Sequence, residues 1–312
     1  MKKLLYILIL IASSAAFSQN NPLFKTENIA INSLLNGTLY APIKQNNATK
    51  LVILIAGSGP TNRDGNQIGL TNNSLKLLAE SLVNNGIAVY SYDKRIFAQM
   101  ASGKLDEASL TFDNFIDDAK AVILYFKNQK KYYSITVAGH SEGALIGMVA
   151  ANGNADAYIS IAGAGRPIDE VLLEQIEKQA PFLKEEVEKS LATLKSGNTF
   201  ELKNQMLASL FRASVQPYMI SWIKYHPQNE IKKLQIPSLL INGEKDIQVS
   251  VQDAQLLQQA QPNAQLHIIP NMNHIFKVIK GDDTENKASY TNPELPICVE
   301  LTSIITTFIR SL

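Results

Sequence analysis

The stretch that decides the fold is Ser134-Ile-Thr-Val-Ala138-Gly139-His140-Ser141-Glu142-Gly143-Ala144-Leu-Ile-Gly-Met-Val-Ala-Ala151. Ser134 to Ala138 reads as a short buried strand and Ala144 to Ala151 as a helix, so Gly139 to Gly143 is a strand–turn–helix junction of G-x-S-x-G form. A serine on so sharp a turn needs small neighbours, because backbone and adjoining elements come close there. The turn lifts the hydroxyl above the sheet, and the helix N-terminus behind it favours developing negative charge. Ser141 is therefore the candidate nucleophile.

Outward from the junction, strand-like and helix-like segments alternate. Leu51 to Ala56 is a continuous apolar run, as expected of a strand buried on both faces of a parallel sheet. Ile87 to Tyr92, Tyr158 to Ala162, Ser238 to Ile241 and Gln265 to Ile269 read as further strands. Leu75 to Val83 has helical spacing and stops at Asn84-Asn85-Gly86, and Phe112 to Asn128 carries one apolar stripe through Phe115, Ala119, Val122, Ile123 and Phe126. Cys298 to Leu312 closes the chain with a helix. Ile29 to Leu34 and Gly37 to Tyr40 are expected to form an antiparallel pair, with Asn36-Gly37 as the turn. The class is α/β, a mostly parallel doubly wound sheet.

About 75 residues separate Ala162 from Ser238, far more than an ordinary connection. Four helices are expected there, Ile168 to Gln179, Phe182 to Leu194, Phe200 to Phe211 and Tyr218 to Tyr225. The reading is a core of residues 24–164 and 236–312, with residues 165–235 inserted as a helical cap over the C-terminal edge of the sheet.

A serine hydroxyl attacks only when a base takes its proton, and the chain has 4 histidines. His140 adjoins Ser141 on the turn and is expected to pack beneath it. His226 precedes Pro227 and reads as surface; His267 sits within a strand. His274 lies just past the last strand, in Pro270-Asn271-Met272-Asn273-His274, and completes the chain order Ser…Asp…His. The acid that orients it is expected after the preceding strand, in Asn242-Gly243-Glu244-Lys245-Asp246, with Asp246 preferred and Glu244 its competitor. Two backbone N–H groups must meet the oxyanion. Glu142 supplies one and Ser58, in the loop Gly57 to Gly65, the other. That loop has neither Walker-A lysine nor G-x-G-x-x-G spacing, so no phosphate cradle is read.

Taken together, the elbow, the loop G-S-G-P-T-N-R-D-G, the segment Tyr92-Asp93-Lys94-Arg95, the cap stretch Phe211 to Tyr218 and the pair N-G-E-K-D and N-M-N-H resemble the α/β-hydrolase superfamily. More narrowly they are similar to bacterial carboxylesterase-like proteins of the serine aminopeptidase-like, S33 type. The resemblance runs from about Phe24 to the C-terminus. It departs in two places. Ala56-Gly57 stands where most members have His-Gly, and Ile96-Phe97-Ala98 replaces Gly-x-Gly after Asp93-Lys94-Arg95. What the resemblance implies is ester hydrolysis through an acyl-enzyme on Ser141. The cap would supply an acyl pocket from residues such as Phe211, Met219 and Trp222, most of which are equally suited to helix packing. The rival readings are an aminopeptidase, holding a free amine with Glu142, Glu170 or Glu174, and a non-catalytic binding protein of the cell envelope.

Lys plus Arg is 29 against 28 for Asp plus Glu. So even a balance excludes a polyanion binder, nucleic acid included. No cofactor is called for, and no metal motif occurs. Lys2-Lys3, the apolar run Leu4 to Ala12 and the small residues up to Ala16-Phe17-Ser18 read as a signal peptide, residues 1–18, cleaved near Ser18. The expected location is periplasmic or extracellular, without stable membrane insertion once the signal is cleaved. With one cysteine, Cys298, no internal disulfide is possible, and a buried thiol is expected.

Overall fold

The computed structural model describes residues 23–46 and 48–312; the expected signal peptide lies outside them. An eight-stranded sheet runs in the order β1-β2-β4-β3-β5-β6-β7-β8. The strands are β1 Phe24–Ala30, β2 Asn36–Pro42, β3 Leu51–Ile55, β4 Ala88–Tyr92, β5 Ile135–His140, β6 Ala157–Ile161, β7 Ser238–Gly243 and β8 Gln265–Ile269. β1 and β2 pair antiparallel, as do β2 and β4; every later pairing is parallel. β3, β5 and β6 are buried along their whole length, which for β3 is why it reads as an unbroken apolar run.

The helices are α1 Ser74–Asn84, α2 Arg95–Ala101, α3 Phe112–Gln129, α4 Glu142–Ala151, α5 Ile168–Gln179, α6 Lys184–Lys195, α7 Ala208–Phe211, α8 Gln216–Ile223, α9 Pro227–Ile231, α10 Val251–Ala260, α11 Asp283–Ser289 and α12 Val299–Ser311. α3, α4 and Leu257 of α10 cover one face of the sheet, and α1 with α12 covers the other. α4 is apolar on nearly every side and almost wholly buried, as a helix enclosed by its neighbours must be. Thr111 opens α3 with a reciprocal capping box to Asn114. β4 and β5 lie on opposite sides of β3. The connections therefore diverge at the C-terminal end of β3, the place where open α/β sheets bind ligands.

The segment between β6 and β7 carries α5 to α9 and has an apolar cluster of its own, built on Val187, Leu191, Leu194, Leu207, Phe211 and Met219. Two expectations need correction here. Phe200 to Phe211 is not one helix: only Gln205 to Phe211 winds, as a short 3-10 turn followed by α7. Gln216 explains why, since its buried side chain accepts from Phe200 N–H and donates to the Phe200 and Phe211 carbonyls, replacing helical partners. The β1–β2 turn is residues 31–35 rather than Asn36-Gly37. Asn32 Oδ1 accepts from the N–H groups of Leu34 and Leu35, at 2.8 and 3.0 Å, and so forms the turn. Gly37 lies inside β2, where a side chain would collide with the Tyr90 ring.

Candidate active site

Ser141 sits between β5 and α4 with φ 54° and ψ −119°, a left-handed backbone that costs a non-glycine residue energy and is held only by its surroundings. Its N–H donates to Ile161 O at 2.9 Å and its carbonyl accepts from Ala144 N–H at 2.9 Å. Both flanking glycines are sterically required: a Cβ on Gly139 would run into the Gly143 backbone, and one on Gly143 into the carbonyls of Ile55 and Ala56. The Glu142 N–H belongs to the first turn of α4, so the helix itself gives it no acceptor. Gly57 lies against Ser141; a Cβ there would be 3.3 Å from Ser141 Cβ.

His274 follows β8 and Asp246 follows β7, so both stand at the same sheet edge as Ser141. His274 Nδ1 and Asp246 Oδ2 are 2.8 Å apart, and both side chains are buried. The other Asp246 oxygen accepts from the N–H groups of Gln248 and Val249, at 2.8 and 2.9 Å. Glu244, the competitor, is exposed. His140 Nε2–H donates to the His274 carbonyl at 2.9 Å, and the two rings lie 4.7 Å apart. Burial and the nearby His274 hold the His140 imidazole well below its usual range, so it stays neutral and ties the His274 loop to the elbow. No hydrogen bond joins Ser141 Oγ to His274 among the described residues, a contact that in free sites often tightens only around substrate. His226 is exposed and His267 lies in β8, as read.

Asn273 braces the His274 loop. It is buried, accepts from Ile275 and Lys277 N–H groups at 3.2 and 2.9 Å, and donates to Asn286 and Ser289 of α11, both at 2.9 Å. α11 was not anticipated, because Asp-Thr-Glu-Asn-Lys-Ala-Ser has no apolar stripe to reveal it.

A cavity of about 300 Å³ opens above Ser141, lined by Ser58, Glu142 and, from the helical segment, Val171, Met219 and Trp222 among other apolar side chains. Ile96 lines it too, from α2, so the Ile96-Phe97-Ala98 stretch after Asp93-Lys94-Arg95 is helical here and contributes to the cavity wall. Phe211 does not reach it: this residue is fully buried within the helical segment, contrary to its expected place in an acyl pocket. Met219 serves both the packing and the cavity, and Trp222 stacks on Phe112 at 5.4 Å.

The largest feature missed by sequence reading is a buried polar network beside Ser141. Lys94 Nζ donates to Glu142 Oε2 at 2.8 Å, to Gly57 O at 2.5 Å and to Gly59 O at 3.3 Å. Tyr218 OH of α8 donates to the other Glu142 oxygen. Burial and that carboxylate drive the Tyr218 hydroxyl well above its usual range, so it remains a donor. Glu107, at the cavity wall, is held by Arg212 and Ser214, with the guanidinium keeping its carboxyl below the usual range. Glu174 is held by Arg166 and Lys178, and Glu170 is exposed. Among the described residues no group of three or more His, Cys, Asp or Glu side chains is arranged to hold a metal ion, and no helix is long and apolar enough to cross a membrane. Cys298 is buried.

The family described as serine aminopeptidase, S33, matches residues 71–277, a span that contains Ser141, Asp246 and His274 and begins beyond Ser58. Esterase EstD of Thermotoga maritima is 29% identical over 273 residues, which cover 86% of this chain and 63% of that protein. The chain thus spans less than two thirds of that relative's length. Est1E from Butyrivibrio proteoclasticus shares the architecture with a TM-score of 0.57 at 16% identity, over 92% of this chain and 99% of its own. A dienelactone hydrolase from Anabaena variabilis does so at 0.53 and 14%, over 93% and 98%. Identities this low speak for the fold alone, and the fold is that of the α/β hydrolases.

Proposed function

The chain belongs to the serine aminopeptidase S33 family of α/β hydrolases, and from that premise we propose that it hydrolyses carboxylic esters of uncharged acyl groups through an acyl-enzyme on Ser141. His274 takes the Ser141 proton as the hydroxyl attacks and hands it to the leaving alcohol; Asp246 holds the imidazole in the tautomer this requires and stabilises its protonated form. The N–H groups of Ser58 and Glu142 meet the oxyanion. Water, activated by the same His274, then releases the acid. The helical segment of residues 165–235 acts as the cap and covers the acyl group.

The observation that carries this reading is the cavity above Ser141: its wall is largely apolar, and both carboxylates in it, Glu107 and Glu142, already face cations. An aminopeptidase needs a carboxylate available to an incoming ammonium. Glu142 is engaged by Lys94 and Tyr218, and Glu174 by Arg166 and Lys178, which favours a neutral ester over a peptide with a free amine. The similarity to Esterase EstD supports the same choice.

The test is hydrolysis of p-nitrophenyl acetate, butyrate and octanoate by the chain from Gln19 onward, beside Ser141→Ala. Activity on all three that falls by at least about 10³-fold in the variant supports the mechanism. Equal activity in the variant, or turnover of aminoacyl anilides but of no ester, overturns it. Export is part of the proposal, supported by Lys2-Lys3 and the apolar run that follows. N-terminal sequencing of the full chain expressed in a bacterium should find the new terminus near Gln19 in the periplasm or medium.

A further inference from the structure

We propose that Lys94 is a positioning residue for the oxyanion hole, a role that rests on the ester-hydrolase reading above. Its ammonium reaches both halves of the hole at once. On one side it binds the carbonyls of Gly57 and Gly59, at 2.5 and 3.3 Å, which flank the Ser58 N–H. On the other it pairs at 2.8 Å with the side chain of Glu142, whose N–H is the second donor.

The loop after β3 needs such a restraint. Gly57 and Gly59 give it backbone freedom, and Gly59 has φ +70°. Donors aimed at a developing charge act well only if fixed before the reaction. The neighbouring Asp93 completes the clamp: it accepts from Arg63 N–H at 2.8 Å and binds the Arg63 guanidinium at 2.7 and 3.0 Å, fastening the far end of the loop. Two consecutive residues after β4 therefore hold both ends of the segment that carries Ser58. Lys94 also lies 5.4 Å from the Phe115 ring centroid and is buried, so its position is fixed from several sides. A well-packed apolar pair could replace a buried ion pair without loss of stability. An apolar pair has no donor to offer two loop carbonyls, and that is the part of the arrangement stability does not explain.

The experiment compares wild type with Lys94→Met/Glu142→Gln, which leaves no unpaired charge, and with Lys94→Arg, which keeps the charge. A guanidinium is wider than an ammonium and cannot sit among these three acceptors without moving the loop. Folding is checked first by circular dichroism and thermal unfolding; if the double variant does not fold, the arginine variant carries the test. Kinetics on p-nitrophenyl butyrate are paired with inhibition by phenylboronic acid, whose boron accepts Ser141 Oγ and presents an oxygen where the oxyanion forms. The expected result is a kcat lower by about 10- to 100-fold, KM within about two-fold, and a boronate inhibition constant raised by the same factor as kcat is lowered. Unchanged kcat in a folded variant overturns the proposal. So does a raised KM with kcat and boronate affinity intact, which would make Lys94 a wall of the pocket only. Failure of the underlying reading looks different: Ser141→Ala would then keep its turnover whatever stands at position 94.

Discussion

Replacing Gly143 with alanine separates two forces that act in opposite directions. Gly143 and Gly147 both lie in α4, and alanine gains about 1 kcal/mol of helix propensity over glycine at either position. Their surroundings differ in kind. At 147 a methyl would meet Val137 Cγ1 at 2.9 Å and Ile55 Cδ1 at 3.2 Å, both ends of side chains that can turn aside. At 143 it would meet backbone: the Ile55 carbonyl group and the Ala56 oxygen, the latter at 2.6 Å. Ile55 closes β3, which is paired to strands on both sides. Overpacking costs about 1–3 kcal/mol, and an obstacle that cannot rotate belongs at the upper end. Gly143→Ala should therefore lose about 2 kcal/mol net, and Gly147→Ala between about 0 and 1. Urea unfolding midpoints of the two variants measure this. The same displacement moves the first turn of α4, and with it the Glu142 N–H, away from β3. In the ester assay kcat of Gly143→Ala should fall at least about 10-fold, while Gly147→Ala stays near wild type. A Gly143→Ala protein as stable and as active as wild type would refute the argument that backbone approach, rather than turn conformation, requires glycine there.

Three further outcomes are expected. Asn273→Ala leaves the N–H groups of Ile275 and Lys277 and the side chains of Asn286 and Ser289 short of partners; urea unfolding should show a loss of about 2–4 kcal/mol, with kcat lower because the His274 loop is released. Trp222→Ala should raise KM for the octanoate ester more than for the acetate, whereas Phe211→Ala should cost about 3–5 kcal/mol of stability in the helical segment and leave the chain-length preference alone. Lys277 is buried against the Leu295 carbonyl, and desolvation lowers its ammonium from the ordinary lysine value of 10.5 to about 8. Between those values the unfolded chain binds more protons than the folded one, so this group makes stability rise with pH from about 8 to about 10.5. Unfolding free energies of wild type and Lys277→Met across that range should differ in slope, the wild type gaining relative to the variant; parallel curves would show that Lys277 stays charged in the folded state.

What was legible in the sequence and what was not divides by the range of the forces involved. β3 was visible because a strand buried on both faces is apolar throughout, and α3 because its buried stripe has the period of a helix. The positions of Ser141, Asp246 and His274 followed from strand order, since each lies just beyond the C-terminal end of a parallel strand. Local cues misled where a distant partner decided the matter. Asn36-Gly37 has the composition of a hairpin turn, yet Gly37 answers to the Tyr90 ring across the sheet, and Asn32 makes the turn instead. Phe200 to Phe211 has helical spacing, yet Gln216 takes over its backbone partners. The network beside Ser141 is the extreme case. Lys94, Glu142 and Tyr218 are 48 and 76 residues apart in steps, and nothing in the sequence links their side chains to one another. Only β4 lying beside β3, α4 rising from β5 and α8 folding back over the sheet edge bring them together. A lysine surrounded by oxygens of a glycine loop and a helix N-terminus is a product of topology, and its chemistry becomes readable only once the strand order is known.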